Sequence, residues 1–234
     1  LKVIGIIGAM AMEIQLIKDK IIIDREERYA GFEFFIGKYR KLDIVLTSCG
    51  IGKVNAASCT QILIDRYNVT DIINTGIAGS LNEKVKVCDI VISDNVTYYD
   101  VRQMQMKNSF PFKTFFTANK QLKKIAIKAY ENSILKDYSY HIGRIITGES
   151  FVSDDNLKAT IIKDYKPYCV EMEGAAIGHV ADINGIPFII IRSISDNADD
   201  NTSLSYDKFK DIASNNAALL ILNMLSIIND KIKK

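Results

Sequence analysis

The stretch Val170–Asp196 reads VEMEGAAIGHVADINGIPFIIIRSISD, and its interpretation decides the fold. Val170 to Asn184 carries small and apolar residues at helical spacing. Gly185 then breaks the pattern, and Pro187 to Arg192 is a continuous apolar run of strand length. A strand that is apolar on both faces belongs inside a mostly parallel sheet covered by helices on both sides. The same alternation recurs outward in both directions. Val3 to Ile7 is a β-rich run ending at Gly8, and Met10 to Lys20 follows as a helix. Phe32 to Tyr39 and Leu42 to Thr47 form a hairpin pattern turning at Arg40 and Lys41. Lys53 to Tyr67, Asn119 to Asn132 and Ser205 to Ile228 read as helices, the last with Ser205 as N-cap. Asp71 to Asn74, Asp89 to Ser93 and Ile142 to Thr147 read as strands. Val101 to Phe116 fits no regular element and is rich in Met and Phe, which suits a binding loop or a subunit contact.

No Pro-, Gly- or Ser-rich linker divides the 234 residues, so the expectation is one α/β domain spanning 1–234, without internal repeats. Hydrophobic residues are 48% and charged residues 25%, which excludes intrinsic disorder over most of the chain. Thirty basic against 28 acidic residues leave a net charge of +2, not the basic excess of a phosphate-gripping nucleic-acid binder. The only basic cluster is the tail Lys231, Lys233, Lys234. No unbroken apolar run approaches the roughly 20 residues of a membrane span. Val3 to Met12 is read as a buried strand and its exit, not as the apolar core of a signal peptide.

The four cysteines (Cys49, Cys59, Cys88, Cys169) are widely spaced in apolar surroundings, with no CxxC. They read as free buried thiols of a reducing compartment, and a cytoplasmic location is expected. His141 and His179 lack ligand spacing, so no metal site is expected, and no motif calls for a cofactor. The phosphate-loop pattern around Gly50-Ile51-Gly52-Lys53 fails at Thr47 and Val54. A GxGxxG pattern fails at Asn55 from Gly50 and at Ile7 from Gly5. The acidic run from Asp196 lacks the Gly and Glu of an EF-hand, at Asn201 and Asp207. Asp199 and Asp200 read as solvated loop acids.

Three acids stand where the pattern expects apolar side chains or a ligand. Glu173 heads the helical column Ala176, Ile177, Val180 and Ala181, whereas Glu171 falls on a more polar row. Glu13 shares a face with Ala9, Met10, Leu16 and Ile17. A buried carboxylate needs a partner or a ligand; a structural ion pair or a helix cap is the alternative reading for both. Asp196 follows a strand at its carboxyl end, where open parallel sheets bind ligands. Gly8, Gly50 and Gly76 also follow strands. Converging acids there would suit general acid and base chemistry on a polar small molecule. Met10, Met172, Phe151 and Tyr206 flank these positions as core or pocket lining.

These residues carry a resemblance. Ile4-Gly5-Ile6-Ile7-Gly8-Ala9-Met10 with Glu13, then Ser48-Cys49-Gly50-Ile51-Gly52-Lys53-Val54-Asn55-Ala56-Ala57, Asn74-Thr75-Gly76-Ile77-Ala78-Gly79, Val170-Glu171-Met172-Glu173 and Ser193-Ile194-Ser195-Asp196 occur in one order along the chain. Together they resemble the nucleoside phosphorylase superfamily, and most closely its bacterial 5′-methylthioadenosine/S-adenosylhomocysteine nucleosidases. The resemblance implies a three-layer α/β/α fold with a central twisted mixed sheet. It implies hydrolysis of the N-glycosidic bond to adenine in methionine salvage and methyl-cycle recycling, without a cofactor, by a homodimer. By the same resemblance, Asp196 is the general acid to purine N7, Glu13 activates water, and Glu173 accepts the ribose hydroxyls. Met172 packs on the sugar, the Val152 backbone reads adenine, and Phe151 stacks on it. Met10, Ile51 and Tyr206 line the alkylthio end. Ile77, Glu171 and Ser195 complete the substrate-binding set. Ile77 stands where the family often has a small polar residue, and Tyr206 where it commonly has Phe. Ala11 and Met12 replace acids that some members carry. The first strand is not followed by the Gly-Asp-Pro-x-Arg run of phosphate-dependent members, which favours water over phosphate. A futalosine-type hydrolase is the alternative enzyme, and a nucleoside-binding or adhesion protein without turnover the alternative class.

Overall fold

The computed structural model describes residues 2–198 and 202–232. Asp199, Asp200, Asn201, Lys233 and Lys234 therefore lie outside the described residues. Ten strands join in one mixed sheet: β1 (Val3–Gly8), β2 (Ile22–Tyr29), β3 (Phe32–Tyr39), β4 (Leu42–Ser48), β5 (Asp71–Ser80), β6 (Ile90–Tyr98), β7 (Phe116–Thr117), β8 (Tyr140–Thr147), β9 (Cys169–Glu171) and β10 (Phe188–Asp196). The helices are α1 (Ala11–Lys18), α2 (Lys53–Tyr67), α3 (Gln103–Asn108), α4 (Lys120–Glu131), α5 (Asp155–Tyr165), α6 (Gly174–Ile183) and α7 (Thr202–Ile232).

The order β2-β3-β4-β1-β5 forms an open wing. Beyond it the sheet curls back, because β5 pairs with both β9 and β10 while β10 pairs with β6, β6 with β8, and β8 with β9. Strand β5 is shared by both halves and is buried along all its residues, Asp71–Ser80. Its partner β10 is buried along all of Phe188–Asp196. Neither face meets water, so each carries apolar residues in its first half, and the polar residues gathered at their carboxyl ends, Arg192 and Asp196 among them, are buried too. Parallel pairing of β1 with β4 and β5, and of β5 with β10, brings the carboxyl ends of these strands to one edge.

Several sequence expectations change in the fold. Val170 to Asn184 is not one helix: Cys169–Glu171 is a strand, and α6 begins at Gly174. Glu173 and Glu171 therefore do not sit on helical columns. Val101 to Phe116 contains α3 and ends in β7. Strand β2 and helix α5 come from polar stretches whose apolar periodicity is weak, and the sequence pattern missed them. Ser205 lies inside α7, which begins at Thr202. That helix is long and apolar enough to cross a membrane by length and composition, with a mean hydropathy of 1.4 over one 18-residue window, 61% of it buried in the fold. Ala217, Ala218, Leu220, Ile221, Met224 and Leu225 are buried and supply a core helix with the same composition.

Candidate active site

A cavity of about 290 Å³ opens at the carboxyl ends of β1, β5 and β10. Helix α1 starts two residues after β1, and Met10 is its N-cap. Glu13, in the first turn, folds its carboxylate back towards the strand exit. Its Oε2 accepts from the backbone N–H groups of Ala9 (2.7 Å) and Met10 (2.9 Å), and its Oε1 from Ile77 N–H (3.0 Å). The acid thus caps its own helix and also ties β1 to β5, and only 1% of it is exposed. A side chain at position 76 would put Cβ 2.6 Å from Glu13 Oε1 and collide with Arg192, so the crossing requires Gly76.

Glu173 is the N-cap residue of α6, with φ −135° and ψ −39°. Its Oε1 accepts from Gly52 N–H at 2.8 Å, and its Oε2 lies 3.3 Å from Arg192 Nη2. Gly52 has φ +104°, a backbone region that favours glycine, and this conformation aims its N–H across the cavity. Burial pushes the Glu173 carboxyl up to about 7. Arg192 pulls it down, Glu171 pushes it up, Gly52 N–H pulls it down, and Glu13 adds a smaller upward push.

Asp196 ends β10 and is 2% exposed. Its Oδ1 accepts from Ala198 N–H at 2.9 Å, and the Ser195 hydroxyl donates to its Oδ2 at 2.6 Å. Every other residue expected at the site also lines this cavity: Met10, Ile51, Ile77, Phe151, Val152, Glu171, Met172, Ser195 and Tyr206. Ile51 and Phe151 are each 54% exposed and form its mouth. Tyr206 meets the edge of Phe151 at 6.2 Å between ring centres, and its hydroxyl lies 3.6 Å from Met10 Sδ.

Arg192 was missed. It is 1% exposed, donates to the carboxylates of Glu171 and Glu173 and to the Ile77 carbonyl, and sits 3.9 Å from Glu13 Oε1. Burial opposes its charge, but Glu171, Glu173 and Glu13 hold its pKa above the ordinary arginine value. The available signal was a lone cation closing the uncharged run Gly185–Ile191. A buried arginine implies buried acids, and the sequence offered three without this partner. The cavity is lined by Glu13, Glu171, Glu173, Asp196 and Asp207 against this one cation. Such a surplus of carboxylates disfavours a bound phosphate and suits a neutral nucleoside and water.

Residues 3–226 match the phosphorylase superfamily. A 5′-methylthioadenosine/S-adenosylhomocysteine nucleosidase of Halalkalibacterium halodurans is 40% identical over 94% of this chain and 96% of its own. A nucleosidase of the same name from Colwellia psychrerythraea 34H, solved with adenine, superposes with a TM-score of 0.91 at 34% identity, covering 96% of this chain and 95% of that one. A futalosine hydrolase of Helicobacter pylori gives 0.89 at 28%, covering 97% and 98%. The chain belongs to the phosphorylase superfamily and, within it, to the 5′-methylthioadenosine/S-adenosylhomocysteine nucleosidase family of N-glycosyl hydrolases.

Proposed function

We propose that the protein hydrolyses the N-glycosidic bond of 5′-methylthioadenosine and S-adenosylhomocysteine, releasing adenine and the 5-thioribose product. The observation that carries this reading is the convergence of the buried acids Glu13, Glu173 and Asp196 in one cavity, the first two beside Arg192. Cleaving the bond needs a proton for the departing purine and a nucleophile for C1′ of the sugar. Asp196 delivers the proton to N7, so that adenine leaves neutral. The Ser195 hydroxyl and Ala198 N–H hold its carboxyl in place. Glu13 orients and deprotonates water, and Ile77 marks the floor where water and ribose meet. Glu173 accepts the ribose hydroxyls, and Met172 packs on the sugar ring. The Val152 backbone reads the adenine edge while Phe151 stacks on its face. Met10, Ile51 and Tyr206 form the uncharged wall that takes the 5′ thioether.

Adenine release from 5′-methylthioadenosine in phosphate-free buffer tests the reading directly. Release with free methylthioribose is expected, at a rate that added phosphate leaves unchanged. A strict need for phosphate would overturn hydrolysis. The Tyr206 hydroxyl, a polar group in an otherwise apolar wall, favours a second reading in which a more polar 5′ substituent, as in futalosine, is accepted. A homodimer is proposed with this activity, its contact including the exposed Met104, Phe110 and Phe112.

A further inference from the structure

We propose that Glu171 is a positioning residue that caps helix α6 in place of Glu173 and so frees the Glu173 carboxylate to face the sugar. The inference rests on the role of Glu173 given above. The first turn of a helix leaves backbone N–H groups without partners, and the N-cap side chain ordinarily accepts from them. Glu173 occupies the N-cap position of α6, yet its side chain makes no capping bond. Two neighbours do this work. Glu171 Oε2 accepts from the N–H groups of Glu173 (3.0 Å) and Gly174 (2.6 Å). Thr147 Oγ1 accepts from Ala175 N–H at 2.8 Å and donates its own proton to Glu171 Oε1. Thr147 and Glu171 are direct partners in the parallel pairing of β8 with β9, so the sheet register sets this cap.

Glu171 also takes the closest contact to Arg192 through Oε2. That oxygen, with two amides and a guanidinium on it, is filled by the protein. We therefore assign Glu171 to holding the Met172–Gly174 turn rather than to a sugar hydroxyl. The arrangement has an electrostatic consequence. The charged groups facing Glu173 are Arg192 of β10, Glu171 of β9 and Glu13 of α1, with the Cys49 thiol after β4. Cys169 and Tyr98 face Glu171. Burial raises the pKa of both thiols and of the phenol, so they stay neutral across the working range. Glu171 thus competes with Glu173 for a single arginine.

The test is Glu171→Gln beside the wild type, with kcat and kcat/KM for 5′-methylthioadenosine measured across pH. The amide oxygen can still accept from the two N–H groups, but the turn loses the charge that holds Arg192 and the acceptor for Thr147, and kcat is expected to fall by about 10²-fold, the effect of a small misplacement at a reacting centre. The acid limb of kcat/KM should move to lower pH by on the order of one unit, because Arg192 is left to Glu173 and Glu13. A limb that stays put would reduce Glu171 to packing and overturn the proposal. Thr147→Ser, which keeps the hydroxyl, should match the wild type, while Thr147→Val should lower kcat. Equal rates in the two threonine variants would also overturn it, even if Glu171→Gln does not fold. An inactive wild type would count against the proposed reaction instead. The pH dependence of Tm in wild type and Glu171→Gln then reads the same charge competition without turnover, and superimposable profiles would overturn it.

Discussion

The floor and the mouth of the candidate active-site cavity are built on opposite principles. On the floor, Glu13, Glu171, Glu173 and Arg192 are buried and held by strand ends, helix starts and one another. At the mouth, Ile51 and Phe151 are half exposed, and Tyr206 contributes a ring perpendicular to that of Phe151 and a hydroxyl on a thioether sulfur. Charges taken out of water need partners, and here the three carboxylates share one guanidinium of which only Nε lacks a hydrogen bond, so the geometry of the floor is tightly constrained. Apolar contacts are non-directional, so the mouth tolerates variation. In the proposed reaction, chemistry is thus assigned to where geometry is strict, and choice of the 5′ substituent to where it is lenient.

The sharpest way to break this comparison is Asp196→Asn. It preserves shape but removes the transferable proton. Turnover of 5′-methylthioadenosine should fall by about 10²–10⁴-fold, with substrate binding by calorimetry little changed. Normal turnover would remove Asp196 from the acid role.

A smaller effect tests what the floor costs in stability. Glu173 is held near 7 in the folded state against 4.5 for the free group. A carboxyl with a raised folded pKa costs nothing below the lower value, where both states are protonated. The cost grows as pH rises between the two and is complete above the upper one. Glu173→Gln removes that term. Its stability relative to wild type in chemical denaturation should improve as pH rises from 4.5 to 7, by on the order of 3 kcal/mol. A pH-independent difference would mean that the Glu173 carboxylate is not penalised in the fold.

The smallest expected change is at the mouth. Tyr206→Phe keeps the ring against Phe151 and removes only the hydroxyl on Met10 Sδ. A neutral hydrogen bond contributes about 0.5–1.5 kcal/mol, so kcat/KM should change by roughly two- to tenfold. The change should differ between 5′-methylthioadenosine and a nucleoside with a polar 5′ group, which sharpens the assignment of this wall to specificity. A loss as large as that of Asp196→Asn would erase the distinction between floor and mouth.

By itself the sequence determined that this is an α/β chain, because apolar runs of strand length such as Phe188–Ile191 alternate along it with longer segments of helical spacing. It also supplied the ordered motifs and the acids Glu13 and Asp196, because an acid on an apolar stripe or at a strand exit is legible as an anomaly in a one-dimensional pattern; Glu173 stands out in the sequence through a helical column that the fold does not contain. It misjudged Glu171, assigning it to a polar helical row where the fold has a buried strand end. It passed over Arg192, since a single arginine after a strand looks the same whether it reaches solvent or a carboxylate. The closure of β5, β10, β6, β8 and β9 was likewise beyond it, because pairing partners far apart in sequence leave no local periodicity. Only the tertiary structure brought positions 13, 171, 173 and 192 together. A shared counter-ion and a helix capped by its neighbours are relations between distant residues, and they exist only once the strands are in register.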